Sequence, residues 1–525
     1  MSLNKHLLAG TALFLSMAGF TPALAQSGAQ SSDLNVEILQ LLVDEGVIPY
    51  DKAKDILARA RQKAEQQRAA ETAQASTNVI DVPYVPETVR TQIKAEVKKE
   101  VMAEAKTQGW VAPNSMPDWV SRVRVSGDFR ARYQNEDAPR SVLGPNGELI
   151  EGNFPYFPDV AAINKAGGVT DAAGFPLLNS TVDRRRPNYR ARFKVEADVN
   201  DKVTVGLRLA SGDDASPVST NSTFGEHFYK DAVWIDQAYV EVRPVAGVKV
   251  TAGRMPNPFY STDMVWDSDI NPEGLAVTGK RAFGPVQVFG TAAALPLQER
   301  ELFDDSFLYA AQAGVEGGFG GSFGYKAALA YYDFQKVQSR KNAPDGSRLN
   351  DWSAPKYLSK GNSVFNMRTD GLTTLAGLAS KFELIALTGQ LSYGKGPRSY
   401  RVTAEVVKNE AMNTLQIATL RGEPGVEPGN TGWQVRFDAG YPQISERHQW
   451  RLAAAYKHVE SDAVMDIFTE SDFGLGGTDL EGYVLDAEYG IYKNTSVGLT
   501  WLSSDSINRP PFALDVLQLN LNVRY

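Results

Sequence analysis

The sequence predicts an all-β fold, a transmembrane antiparallel β-barrel, on three observations. From Trp119 to Tyr525, apolar and polar residues alternate with a period of two in one segment after another. Each such segment is a strand with one apolar and one charged face. The connections between segments are by turns short and long, the plan of a barrel with tight turns on one rim and long loops on the other. The last segment alternates without a break and stops on an aromatic residue, Tyr525.

The bulk composition fits. The 525 residues carry a formal net charge of −8, so the chain has no basic excess to suit nucleic acid. It has no cysteine, which is compatible with export without a disulfide framework. One long apolar run exists, at the start. Lys5 and His6 precede Leu7 to Phe20, Thr21-Pro22 breaks the run, and Ala23-Leu24-Ala25 offers small residues to a signal peptidase. Residues 1–25 are thus expected to be a cleaved signal peptide. With no second run of membrane-helix length, the exported chain stays soluble or enters a membrane as a barrel.

Residues 26–118 read as a helical periplasmic segment. Leu34, Ile38, Leu41 and Leu42 share one helical face, as do Val89, Ile93, Val97 and Val101 later. Gly46 ends the first helix, and Val82-Pro83-Tyr84-Val85-Pro86 is an extended break. These faces could serve oligomerisation, packing on the barrel or contact with the cell wall, and the sequence leaves the choice open.

The barrel occupies 119–525. Val123, Val125, Phe129 and Tyr133 alternate with Arg124, Ser126, Asp128, Arg130 and Arg132; Tyr189, Phe193 and Val195 alternate with Arg190, Arg192, Lys194 and Glu196. The pattern recurs at Trp433–Ala439 and at Tyr483–Tyr489. Asn200-Asp201 and Gly284-Pro285 are tight turns, whereas Asp213 to Lys230, Arg254 to Glu273 and Gln335 to Asp370 are long connections. Aromatics at Tyr133, Trp234, Tyr331, Tyr332 and Trp501 sit where an interfacial girdle would lie. Roughly 17 strands can be marked, but a barrel with both ends in one compartment needs an even number. A weak strand at Leu415 to Leu420 repairs the parity and gives about 18, the count expected; merging one pair gives 16, the alternative, and barrels of either size leave an aqueous channel. In the final strand, Leu521 and Val523 with the terminal Tyr525 form the signal expected for barrel-assembly machinery.

The chain also resembles a family, the putative porins of proteobacteria. The residues that carry the likeness include Leu41-Leu42-Val43-Asp44-Glu45-Gly46, Val82-Pro83-Tyr84-Val85-Pro86-Glu87 and Gly127-Asp128-Phe129-Arg130-Ala131-Arg132. Gly253-Arg254-Met255-Pro256-Asn257-Pro258-Phe259 is the most specific stretch, and Glu470-Ser471-Asp472-Phe473-Gly474 with Gly476-Gly477-Thr478-Asp479 completes the set. The resemblance implies a pore in the bacterial outer membrane and names no substrate.

Enzyme chemistry finds little footing. Gly320-Gly321-Ser322-Phe323-Gly324 matches G-x-S-x-G, but it falls in a turn between two amphipathic strands, not at the strand-to-helix elbow that motif requires. His227, His448 and His458 lack metal-ligand or triad spacing, and no phosphate loop is evident. No cofactor or metal is expected. Charge on the inner face is more informative. Arg122, Arg124, Arg130, Arg132, Arg190, Arg192, Lys194, Lys202 and Arg208 would make one lumen wall basic, and the loop after Gly253 carries Asp263, Asp267, Asp269 and Glu273. Folded inward, that loop would set a field across a constriction. The competing reading is ordinary lumen solvation, with the arginines paired to Asp128, Glu196 and Asp198. The function expected is passive diffusion of small hydrophilic solutes or ions, with membrane lipid as surroundings and a homo-oligomer, such as a trimer, in prospect. A structural tether, a barrel enzyme and a plugged transporter are the alternatives.

Overall fold

In the computed structural model, the residues described are 120–525, except 171–173, 213–216, 226, 395–397, 424–427 and 509. The signal peptide expected at 1–25 and the helical segment expected at 26–118 lie outside them. Sixteen long strands form one closed antiparallel sheet. They are β1 (Val123–Asp137), β2 (Arg184–Asn200), β3 (Val203–Ser211), β4 (Val233–Val242), β5 (Val248–Arg254), β6 (Glu273–Phe283), β7 (Val286–Gln298) and β8 (Ser306–Phe319). The second half comprises β9 (Phe323–Gln335), β10 (Phe382–Tyr393), β11 (Ser399–Asn409), β12 (Thr431–Gly440), β13 (Trp450–Val459), β14 (Leu480–Tyr492), β15 (Thr495–Ser506) and β16 (Ala513–Arg524). Each strand pairs with its neighbour in sequence, and β16 returns to β1 in the register Asp128↔Arg524 to Asp137↔Asp515. Closure leaves no free sheet edge, the condition for backbone to cross lipid in strands.

The strand count is the smaller of the two expected. Leu415 to Leu420 is not a strand: α2 (Thr414–Arg421) is a helix there, the first helix of the loops being α1 (Val160–Lys165). Local chemistry explains the correction. Asn413 caps α2 by accepting from the Gln416 amide, Gly422 ends it at φ 73°, and Ile417 is buried beneath it.

The outer face is apolar. Leu387 is 56% and Leu519 55% exposed, and Val125, Phe129, Leu485 and Leu517 point the same way. A soluble monomer does not present an apolar belt right around itself, so this surface belongs against lipid. Aromatics border it, as with Phe319, Phe323 and Tyr393, which stack at 5.1 and 4.8 Å near the short-turn rim. Tyr133, Trp234, Tyr331 and Trp501 face outward as expected, but Tyr332 is wholly buried inside. The reason is the two-residue period: with Tyr331 outward, its neighbour must point into the barrel.

Short turns join β2–β3, β4–β5, β6–β7, β8–β9, β10–β11, β12–β13 and β14–β15, and the long loops lie on the opposite rim. Gly284 turns β6 into β7 at φ 61°, in the left-handed region open to glycine. The long loops used below are L1 (138–183), L2 (212–232), L3 (255–272), L5 (336–381) and L7 (460–479). L1 and L5 are clasped by Asn164, whose amide donates to the Pro355 and Ala376 carbonyls and accepts from the Ala376 amide. Inside β8–β11 the wall is apolar, with Leu308, Tyr332, Phe382, Leu384 and Val407 almost fully buried. What covers that wall is L3, together with L5 and L7.

Candidate constriction across the lumen

Antiparallel register builds the basic wall. Asp128 lies opposite Arg192, Arg124 opposite Glu196, and Arg130 opposite Arg190. The first two pairings set acid against base, which favours the sheet; the third sets like charges together, which costs unless each finds another partner. Arg190 does so, with Asp128 at 3.1 Å and Asp269 at 3.4 Å. Arg192 likewise reaches Asp128 at 2.7 Å and Asp269 at 2.9 Å. Arg130 instead donates to the Asn221 side chain of L2 at 2.6 Å. Arg132 reaches Asn520 at 2.8 Å and Asp472 of L7 at 2.7 Å. Lys194 pairs with Glu196 at 3.0 Å, Arg124 pairs with Asp198, and Arg208 pairs with Asp236. The bases therefore face inward, and acids on the same strands neutralise many of them.

L3 starts at mid-height because β5 has only seven residues. The Asn257 side chain accepts from the Phe259 amide at 3.0 Å, turning the Pro-Asn-Pro-Phe stretch inward. Tyr260 and Gln312 of β8 then exchange hydrogen bonds at 2.8 and 2.7 Å. The Thr262 amide donates to Glu405 of β11 at 3.1 Å, and Asp263 meets Lys457 of β13 at 2.9 Å. From there L3 crosses the lumen to Asp269 on the arginines of β2, and Asn271 donates to Asp236 of β4 at 2.8 Å. Trp266 anchors the crossing, packed against Phe259, Tyr332, Phe334 and Phe468. Burying such a ring contributes about 1.5–3 kcal/mol, so the strap is held by an apolar anchor as well as by charge.

L7 joins it. The Asp267 amide donates to the Phe468 carbonyl at 2.8 Å, the Ser471 amide donates to the Asp267 carboxylate at 3.0 Å, and the Glu470 amide donates to the Asp263 carbonyl at 3.1 Å. Lys457 holds both Asp263 and Glu470, the latter at 2.6 Å.

The acidic residues anticipated in this loop are not equivalent. Asp263 and Asp269 lie on the strap. Asp267 does too, but it is buried between the loops, and burial, with Asp269 and Glu470 nearby, pushes its carboxyl well above the ordinary range. Glu273 does not belong to the constriction. It is the first residue of β6, shares the outward side of Leu275 and Val277, and pairs with Arg254 at 2.6 Å; the strand period sends it out of the lumen. The contributions of L7 and Lys457 were not foreseen, although the Glu470-Ser471-Asp472 stretch stood out by resemblance. The G-x-S-x-G stretch forms the turn between β8 and β9. At the C-terminus, Leu521 faces outward and the exposed Tyr525 lies over Gly127, exchanging backbone hydrogen bonds with it at 3.0 and 3.1 Å.

A family described as "Putative porin" matches residues 32–525. No curated protein matches the chain. Among solved structures, the outer membrane channel DcaP of Acinetobacter baumannii is similar at 12% identity, with a TM-score of 0.39, over 77% of this chain and 97% of that one. OmpT of Vibrio cholerae, in its trimer form, is similar at 10% identity and a TM-score of 0.39, covering 77% and 99% of the two chains. OmpF of Salmonella typhi, in complex with daunomycin, is similar at 11% identity and a TM-score of 0.38, covering 77% and 97%.

Proposed function

Because this chain belongs to the putative porin family, we propose that it works as a water-filled channel of the outer membrane for small hydrophilic solutes and ions, and not as an enzyme. The observation that carries this reading is the closed sheet of sixteen strands, apolar outside and lined within by charged side chains on β1–β4. Barrels of about this size enclose an aqueous lumen, and the ionic side chains on its wall suit one filled with water. The short turns then face the periplasm and the long loops the exterior, with residues 26–118 on the periplasmic side.

In this reading, Arg124, Arg130, Arg132, Arg190, Arg192, Lys194 and Arg208 line the pore, and Asp263 and Asp269 narrow it. Leu521, Val523 and Tyr525 present the strand that the barrel-assembly machinery takes up. A homo-oligomer, a trimer in the first instance, belongs to the proposal. Its support is the flat outer wall of Gly290, Ala292, Ala311 and Ala313 on β7 and β8, paired Gly290↔Ala313 and Ala292↔Ala311, where small side chains let a second barrel approach closely. Liposome swelling in uncharged sugars of rising size tests the function. Swelling that slows as the sugar grows is the expected result, and liposomes that never swell would overturn it.

A further inference from the structure

We propose that L7 is a second constriction loop, and that Glu470 and Asp472 form, with Asp263 of L3, the carboxylate edge a permeating ion meets. This rests on the channel reading above. The two loops are joined by backbone and carboxylate hydrogen bonds, so they make one crossing strap and not a strap with a bystander. Accessibility then separates the acids. Asp263, Asp472 and Glu470 side chains are 35%, 23% and 20% exposed, whereas Asp269 is 10% exposed. Asp267 is more deeply buried still.

The bases that hold these acids are hidden behind them, with Lys457 and Arg132 side chains 4% and 5% exposed. The cations thus lie toward the wall while part of each acid side chain reaches the water, although Asp263 Oδ1 is itself buried and Oδ2 is held by Lys457. An ion passing the strap meets carboxyl oxygen first, two of the three groups coming from L7: Asp472 is held charged beside Arg132, whereas burial pushes Glu470 up to about 7, so its charge is complete only above that pH. The hook is held firmly as well: Phe473, next to Asp472, is buried with Val484, Leu502 and Val516 of β14, β15 and β16. Fixed charge on a rigid loop in a narrow aqueous path raises the local concentration of the opposite ion, so the edge favours cations.

The chain has no cysteine, which makes single-cysteine probing clean. Wild-type channels are recorded first in a planar bilayer; without steps there, the channel reading fails and not this one. Next, Glu470→Cys, Asp472→Cys and Asp267→Cys are each exposed to a cationic methanethiosulfonate reagent. The expected result is a stepwise fall in conductance for the first two and no response for Asp267→Cys. To separate selectivity from any effect of cysteine on folding, the isosteric pair Glu470→Gln with Asp472→Asn is measured too, and its cation-to-anion permeability ratio should fall about two-fold at low salt. Unmodified Glu470→Cys and Asp472→Cys channels of normal conductance, or an isosteric pair with an unchanged ratio, would overturn the proposal.

Discussion

Asp269 is the pin that ties the crossing strap to the basic wall, and Asp269→Asn withdraws its charge with little change of shape. Its carboxylate takes Arg192 at 2.9 Å and Arg190 at 3.4 Å, with Thr220 at 3.4 Å, at a site only 10–17% exposed. A hydrogen bond to a charged group contributes about 1.5–3 kcal/mol, against 0.5–1.5 for a neutral pair. Both arginines keep Asp128, so no guanidinium is stranded and the full penalty for a broken buried ion pair does not arise. The pin should therefore weaken by about 1–3 kcal/mol, a factor of roughly 5–150 in the ratio of docked to released strap. The barrel ladder is untouched, so heat-modifiable migration on gels should match wild type. Single-channel records should show a noisier open level and a higher mean conductance. Records indistinguishable from wild type in noise, conductance and reversal potential would show that the Asp269 contact does not hold the constriction.

Other perturbations read the wall, the seam and the pH response. Replacing Arg130, Arg132 and Arg192 with Ser should move the reversal potential toward cation preference at low salt, where the Debye length grows to about 30 Å at 0.01 M and wall charge is little screened. The shift should fade as salt rises, and no shift at low salt would remove these residues from the ion path. Gly127→Ala places a Cβ 2.4 Å from both the Arg192 carbonyl and the Tyr525 hydroxyl; a loss of about 1–3 kcal/mol is expected, seen as a lower temperature of gel-band conversion, and an unchanged band would mean that the seam relaxes freely. Leu521→Asp with Val523→Asp puts charge on the outer face near the short-turn rim, where it costs only about 0–1 kcal/mol, so the effect expected is loss of the terminal assembly signal; protease-resistant barrel in the outer membrane should be lost, and normal surface exposure would show the last strand to be misplaced. The Asp267 carboxyl is raised above its ordinary value of 3.8 by burial, so the docked strap binds its proton more tightly than the released one. Docking is then firmest below that value and loosens as pH rises through the elevated pKa. Channel noise should grow over that rise and Asp267→Asn should reduce the response, what remains belonging to Glu470, which burial pushes up to about 7; equal noise throughout in wild type would refute it.

Much of the barrel was legible because lipid and water impose opposite demands on successive residues. Val125 and Arg124, or Leu519 and Gln518, announce their sides one at a time, and so do the tight turns at Asn200-Asp201 and Gly284-Pro285. The same rule misled where the inner face is not polar. Leu308, Tyr332, Phe382 and Leu384 are buried inside the barrel by L3, L5 and L7, and no two-residue period distinguishes an apolar residue facing lipid from one facing a folded-in loop. Loops carry no period at all. Asp263 and Asp269 were found by composition, but nothing in the order of residues shows that Asp472 will meet Arg132 from 340 positions away. Asp267 and Glu273 mark the limit of the same reasoning, since charge alone does not say whether a carboxylate ends between two loops or on the outer face. Trp266 within a long connection was the available hint that L3 packs inward.

The central claim is a continuous aqueous path through a single barrel of this chain, and single-channel conductance of the refolded protein in a planar bilayer tests it most directly. The account predicts discrete, long-lived conductance steps that scale with bulk salt and reverse at a potential set by the salt gradient. Protein that inserts as folded, heat-modifiable barrel yet passes no current at any voltage would contradict it.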